Sequence, residues 1–324
     1  MRGTSPEATF TMRRGSLAAL LLLLLLSGCA EEPLKVGIRS WIGYDVIPMA
    51  RQWGWIGPEV ELIPRESAAE SLSGLASGEL QAACLTLDEV IRGLDQGLSL
   101  TIVAVMNVSS GADSLLVRPG INSVADLRGA RIALQTSGAN MLMLTAALAS
   151  GGLALSDIEL VEATPADLPG LWEAGDIAAV ATYEPHARAL RNIGAVTLLS
   201  SRDTPELIFD VIAVRSDAVK TRKKALANLV SAILRAQSHV HDNPVDTVYR
   251  LASLRGNPVW VTEEELRHVV IPTLDRQHGY FDRDSPLSAA VGRINELFVN
   301  AGVTNSPQGN AGLLDPAYLP ELPE

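Results

Sequence analysis

The chain is expected to fold as an α/β protein of two similar lobes, on three observations. Short aliphatic runs alternate with amphipathic stretches, the pattern of helices laid on mainly parallel sheets. A similar order of elements returns about 97 residues later. The part beyond the leader is nearly 300 residues long, enough for two separate cores.

Leu34 to Arg39 reads as the first strand. Val46, Met49, Ala50 and Trp53 then fall at i, i+3, i+4 and i+7, one helix face, with Pro48 tolerated in the first turn. Val60 to Ile63 is the second strand, Ala68 to Ala76 a helix ended by Gly78, and Gln81 to Leu85 the third strand. Thr86 with Glu89 three residues on makes a capping-box pattern, and Leu87, Val90, Ile91 and Leu94 continue it as a helix.

The second set follows the same plan. Arg131 to Leu134 is its first strand, and Met141, Leu144, Thr145 and Leu148 give one face of its helix. Ile158 to Val161 repeats the second strand, Thr164-Pro165 opens a helix as N-cap and N1, and Ala178 to Thr182 is the third strand. Ile208 to Arg215 is a returning strand. After it only helices are expected: Ala218 to about His241, Pro244 to Leu254, Thr262 to Ile271, and Pro286 to Asn300. The proline-bearing tail from Asn305 reads as irregular.

The N-terminus has a different character. Arg13 and Arg14 precede an unbroken apolar run from Leu17 to Leu26, followed by Ser27, Gly28 and Cys29. A basic region, a short apolar core and small residues describe a secretory signal peptide, and the run is well short of the roughly 20 residues of a membrane span. Met12 is an alternative start. Leu26-Ser27-Gly28-Cys29 resembles the bacterial lipobox, which implies cleavage before Cys29 and its acylation, a palmitate-type anchor in a lipid bilayer. Two or more acyl chains suffice for stable anchoring.

The other cysteine, Cys84, lies in the apolar run Ala82-Ala83-Cys84-Leu85 and reads as a small core residue rather than a nucleophile. The five histidines show no metal-ligand spacing, and no cofactor motif or phosphate loop is present. The formal charge is −11, and nucleic-acid binding, which needs clustered positive charge, is not expected.

The mature chain resembles the nitrate/sulfonate/taurine group of bacterial ABC-transporter periplasmic solute-binding lipoproteins, which also includes receptors for thiamine-pyrimidine precursors. The residues that carry this are Val36-Gly37, Ile47-Pro48-Met49-Ala50 with Gly54, and Ser77 to Ala82. They continue with Ser123 to Gly129, Gly151-Gly152-Leu153, and Ala174-Gly175-Asp176-Ile177 leading to Glu184-Pro185. The resemblance implies a two-lobed periplasmic-binding-protein fold of type II with two hinge strands, Asp113 to Arg118 and Phe209 to Arg215. It divides the chain into a leader, 1–28; a first lobe, 29–118 and 208–304; a second lobe, 119–207; and a tail, 305–324. It also implies a monomer on the periplasmic side of the cell or outer membrane, passing a small-molecule ligand to an ABC permease.

Ligands of open α/β sheets bind beyond the carboxyl ends of strands, where helix N-termini converge. That rule nominates Ser40, Trp41 and Tyr44 after the first strand, Thr86 and Asp88 after the third, and Asn107 after the run from Leu100. In the second lobe it nominates Ser137, Gly138 and Asn140, then Glu184, with Tyr183 beside it; Asp210 sits where the chain recrosses. Thr136 to Asn140 is a candidate anion cradle, although Ser137 could be a simple N-cap. Trp41 and Tyr44 could stack on an organic ligand or cover the core edge; Asp88 and Glu184 could meet an amine or complement a helix dipole. These loops hold one basic residue, Arg39, and three acids, a balance that favours an apolar or aromatic body, or an amine beside an acidic group, over nitrate. The sequence favours a transport receptor. A sensing lipoprotein remains the alternative, and an enzyme of the pyrimidine-precursor type the less favoured one.

Overall fold

The computed structural model describes residues 32–309 and 311–322, so the leader, Cys29 and the two final residues lie outside the described residues. A single compact unit begins at Leu34.

The first β-α-β run is β1 (Leu34–Ile38), α1 (Val46–Gln52), β2 (Val60–Pro64), α2 (Ala68–Ser77), β3 (Ala82–Thr86) and α3 (Leu87–Asp95). Its helix ends follow local chemistry. Ser67 caps α2 by accepting from the Glu70 N–H, and Gly78, at φ 80°, closes that helix in the left-handed conformation that glycine adopts without a Cβ clash. At α3, Glu89 accepts from the Thr86 N–H at 2.9 Å, while the Thr86 hydroxyl donates to Asp88 at 2.6 Å. The long β4 (Leu100–Ser109) follows, and the chain crosses over residues 110–112 into β5 (Asp113–Val117).

The second run is β6 (Arg131–Leu134), α4 (Ala139–Ser150), β7 (Glu159–Glu162), α5 (Leu168–Ala174), β8 (Ala179–Tyr183), α6 (His186–Asn192) and β9 (Val196–Ser200). Residues 201–208 lead back to β10 (Phe209–Arg215). The remainder is α7 (Ser216–Thr221), α8 (Lys223–Asp242), α9 (Pro244–Arg255), α10 (Val259–Leu266), β11 (Val269–Val270), α11 (Leu274–Phe281) and α12 (Pro286–Asn300).

Two sheets result, in the orders β11-β4-β10-β3-β1-β2 and β7-β6-β8-β5-β9. Without the short β11 they share one plan: three parallel strands, then one antiparallel strand, then an outer one. In each, the antiparallel strand is the first one after a crossing: β5 follows residues 110–112 and pairs with β8, and β10 follows residues 201–208 and pairs with β3. The expected hinge strands therefore begin at the crossings rather than spanning them. The crossings are tied together. The Ser109 hydroxyl donates to Asp113 at 2.6 Å and meets the Ser201 hydroxyl at 2.7 Å, and Ser201 accepts from the Gly111 N–H at 2.6 Å.

Several local expectations need correction. The return leg is not purely helical, because β11 pairs with the end of β4. The expected helix from Ala218 is two, α7 and α8, parted at Arg222. The helix placed at Thr262–Ile271 runs earlier, from Val259, and Pro258 precedes it. Thr164-Pro165 does not open α5; the Thr164 hydroxyl donates to Asp167, which is the N-cap. Helix α4 is buried from Asn140 to Leu148, not along one stripe. Its inner face meets the second sheet, while α12 and α3 of the first lobe cover its outer face, so one apolar core runs through the seam.

Candidate functional site

A cavity of about 500 Å³ lies between the sheets, lined from both. Strand direction explains its make-up. The parallel strands β1, β3, β6 and β8 end at this edge, and the antiparallel strands β10 and β5 begin there. Asp210 is thus paired with Thr86 across the first sheet, and Asp113 with Tyr183 across the second.

Of the residues nominated from sequence, Ser40, Trp41, Tyr44, Thr86, Gly138, Asn140, Glu184 and Asp210 line the cavity. Asp88, Asn107 and Ser137 do not. Asp88 is fully buried beneath Thr86, with Arg92 Nε 3.8 Å away. Asn107 faces Asp210 from β4 but packs against Gly43, and neither polar atom of its side chain has a partner. Ser137 precedes the N-cap of α4, which is Gly138.

The first-lobe wall is organised around two carboxylates. Asp210 receives the Trp41 indole N–H at 3.0 Å and the Tyr44 hydroxyl. Tyr44 is only 1% exposed, so its ring belongs to the core and its hydroxyl to the site. Glu89 takes both arms of Arg39, at 2.7 and 2.9 Å, the bidentate geometry that holds a guanidinium in one plane. Burial pushes Asp210 up to about 7, against the pull of the Tyr44 hydrogen bond, with Asp113 adding to the rise. Asp113 is pushed up to about 6 by burial, the Ser109 hydrogen bond opposing and Asp88 and Glu184 adding to it.

The second-lobe wall offers the N-terminus of α4. No side chain caps it and its first turn holds no acid. Glu184 accepts from the Arg188 N–H at 3.1 Å and pairs with Arg191, so it satisfies the start of α6 as well as lining the cavity. Several contacts cross the cleft. Trp41 meets Tyr183 edge-on at 5.7 Å, Arg92 donates to the Thr136 carbonyl at 2.7 Å, and Arg188 pairs with Glu264 at 2.9 Å. A Cβ on Gly138 would come within 3.3 Å of Glu89.

Sequence reasoning did not nominate Arg39, Glu89, Asp113, Gln135, His186 or Arg255, all of which line the cavity. Asp113 was legible in principle, as the first residue of an antiparallel strand at a ligand edge. Arg255 was not: it reaches the site from the end of α9, held by Asp45 at 2.7 Å and with Glu265 at 3.4 Å. Among the described residues no group of three or more histidine, cysteine or acidic side chains could hold a metal ion. Cys84, in β3, is fully buried, and burial raises its thiol pKa well above the usual range.

A family model described as the NMT1-like family matches residues 28–249, more than half of the chain. The chain belongs to that family. This NMT1-like chain is 24% identical, over 78% of its length and 79% of the relative's, to the taurine-binding periplasmic protein of Escherichia coli K12. The alkanesulfonate-binding protein SsuA of Xanthomonas axonopodis pv. citri, solved bound to MOPS, superposes with a TM-score of 0.71. That match covers 88% of this chain and 99% of SsuA at 21% identity. The NMT1-like fold also carries catalysis elsewhere: the desulfurization enzyme DSZB superposes with a TM-score of 0.63 at 16% identity, over 88% of this chain and 97% of the enzyme. The two-lobed periplasmic-binding-protein fold is therefore the fold of this chain.

Proposed function

We propose that the protein is the extracytoplasmic solute-binding component of an ABC importer, capturing a small organic solute of the sulfonate or taurine type by lobe closure. The observation that carries this reading is the cavity shared by two wired-together lobes, each contributing a different chemistry. The first lobe offers an indole, a tyrosine hydroxyl and carboxylates. The second offers an uncapped helix start, at which an anionic group gains about 0.3–1 kcal/mol when exposed and up to about 2 kcal/mol when partly buried. A solute touching both walls favours the closed form by the contacts it gains there. About 5.5 kcal/mol of such differential binding turns a 1:99 ratio into 99:1, within reach of several buried hydrogen bonds and one ring contact. A relative named for binding taurine and a structural neighbour named for alkanesulfonates support the solute class. The closed form would hand its solute to a membrane permease. We place the protein on the periplasmic side, a monomer held to the bilayer through acylated Cys29.

The test is calorimetry on the soluble part, from Ala30 onward, against taurine, alkanesulfonates, aromatic sulfonates, nitrate and pyrimidines, with X-ray scattering on each mixture. Binding of an organic solute with a smaller radius of gyration is expected. Binding of nitrate alone, or an unchanged shape with every solute, would remove the reading. For the anchor, the full chain expressed in bacteria should incorporate labelled palmitate, and Cys29→Ala should not.

A further inference from the structure

The cavity's charges are unevenly committed. Three arginines line it, and each already holds an acid: Arg39 with Glu89, Arg65 with Glu79, Arg255 with Asp45. Each keeps a buried Nε–H without a hydrogen-bond partner, but none carries an unpaired charge. Two lining carboxylates are in the opposite position, for no cationic side chain pairs with Asp113 or Asp210 among the described residues. Asp210 has two neutral donors, one on each oxygen. Asp113, 4% exposed, has a donor on Oδ2 alone, the Ser109 hydroxyl at 2.6 Å. A buried carboxylate with one hydrogen bond and no counter-charge is costly, and the negative groups around it deepen the cost.

A second, independent sign lies on the opposite wall. Asn140 is 3% exposed, lines the same cavity, and its side-chain oxygen has no donor. Buried acceptors are normally satisfied, so this oxygen is open to a donor from a ligand or from a water that a ligand would displace. The rings of Trp41 and Tyr183, edge to face at 5.7 Å, and of His186 against Tyr183 at 5.3 Å, supply aromatic surface at the same place. Carboxylate, amide oxygen and ring faces together are the surroundings that favour an ammonium group.

We infer that the ligand of this cavity carries a protonated amine, which seats against the Asp113 carboxylate with its flank on the aromatic wall. The inference rests on the solute-binding reading above and narrows it to amine-bearing solutes. Asp113 is well placed for this because its other oxygen is tied to the hinge. Ser109 links it to Ser201, and Ser201 holds the Gly111 N–H, so a ligand bound at Asp113 is bonded, through two serines, to both crossings.

The experiment compares matched ligands by calorimetry: taurine against ethanesulfonate, and β-alanine against propionate, on the wild-type protein and on Asp113→Asn. The amide keeps the shape and an acceptor for Ser109 while removing the charge. The wild type should favour the amine-bearing member of a pair by about tenfold or more, and Asp113→Asn should weaken that member by about 10- to 100-fold while leaving its amine-free partner within about twofold. Equal wild-type affinity within each pair would overturn the inference while leaving the solute-binding reading intact, and it needs no variant. An equal loss for both members in Asp113→Asn would also overturn it, by showing a purely structural role. Binding of neither member of either pair would sink the proposed solute class together with the inference.

Discussion

Asp210 makes stability depend on pH in a direction opposite to that of most acids. Its carboxyl is pushed up to about 7 in the folded protein, against about 3.9 in an unfolded chain. The folded state therefore holds this proton more tightly. Stability is fully present below about pH 4 and is lost as pH rises towards 7. At about 1.4 kcal/mol per unit the whole effect is about 4 kcal/mol, and the site's burial leaves little solvent screening to reduce it. Asp210→Asn removes the titration. The amide oxygen can still accept from Trp41, and the amide NH₂ can donate to the Tyr44 hydroxyl, so the cost at low pH is about 1 kcal/mol or less. The variant is expected to match the wild type within about that margin at pH 4 and to exceed it by about 2–4 kcal/mol at pH 8, without ligand. Urea unfolding followed by tryptophan fluorescence at pH 4, 6 and 8 measures this. A difference between the two proteins that stays constant across the three pH values would refute the reasoning.

Other expectations concern the rings, the hinge and the thiol. Trp41→Ala should weaken ligand binding about tenfold or more by calorimetry, while shifting the urea midpoint little, because the indole is only half-buried and its partner Asp210 keeps the Tyr44 hydroxyl. Ser201→Ala should cost about 1–3 kcal/mol in urea unfolding, since the buried Gly111 N–H loses its acceptor. In the soluble part beginning at Ala30, a thiol reagent should find no reactive group in the native protein and one after guanidinium unfolding, because Cys84 is fully enclosed. Reaction of the native protein at a free-thiol rate would show that β3 is less well packed than described.

Much of the architecture could be read from the chain because its signals are local. The run Ala82 to Leu85 is apolar and short, Gly78 marks the preceding helix stop, and the same arrangement recurs at Gly175 and Ala179. What escaped depends on partners distant in sequence. β9 is partly exposed, so burial left a weak pattern in it, and β11 is a two-residue edge whose existence depends on the end of β4. Helix α4 carries leucine, methionine and alanine all round because a helix about 150 residues later covers its outer face. The site divides in the same way. Ser40, Trp41, Gly138 and Glu184 follow from the strand-end rule, whereas Arg255 depends on how the C-terminal helices fold back. Ser137 fell one residue short, since the helix start is set by Gly138. Asn107 and Asp88 point into packed interior, and no local pattern distinguishes that from the cavity.

The position of β10 has a consequence for the order in which the molecule can assemble. It is inserted between β3 and β4, so two strands made early lie on either side of one made much later. During synthesis, the facing edges of β3 and β4 have no neighbour until residue 215 has emerged. The segment between the crossings, by contrast, holds all five strands of its own sheet and can close first. A chain arranged this way completes its amino-terminal sheet last.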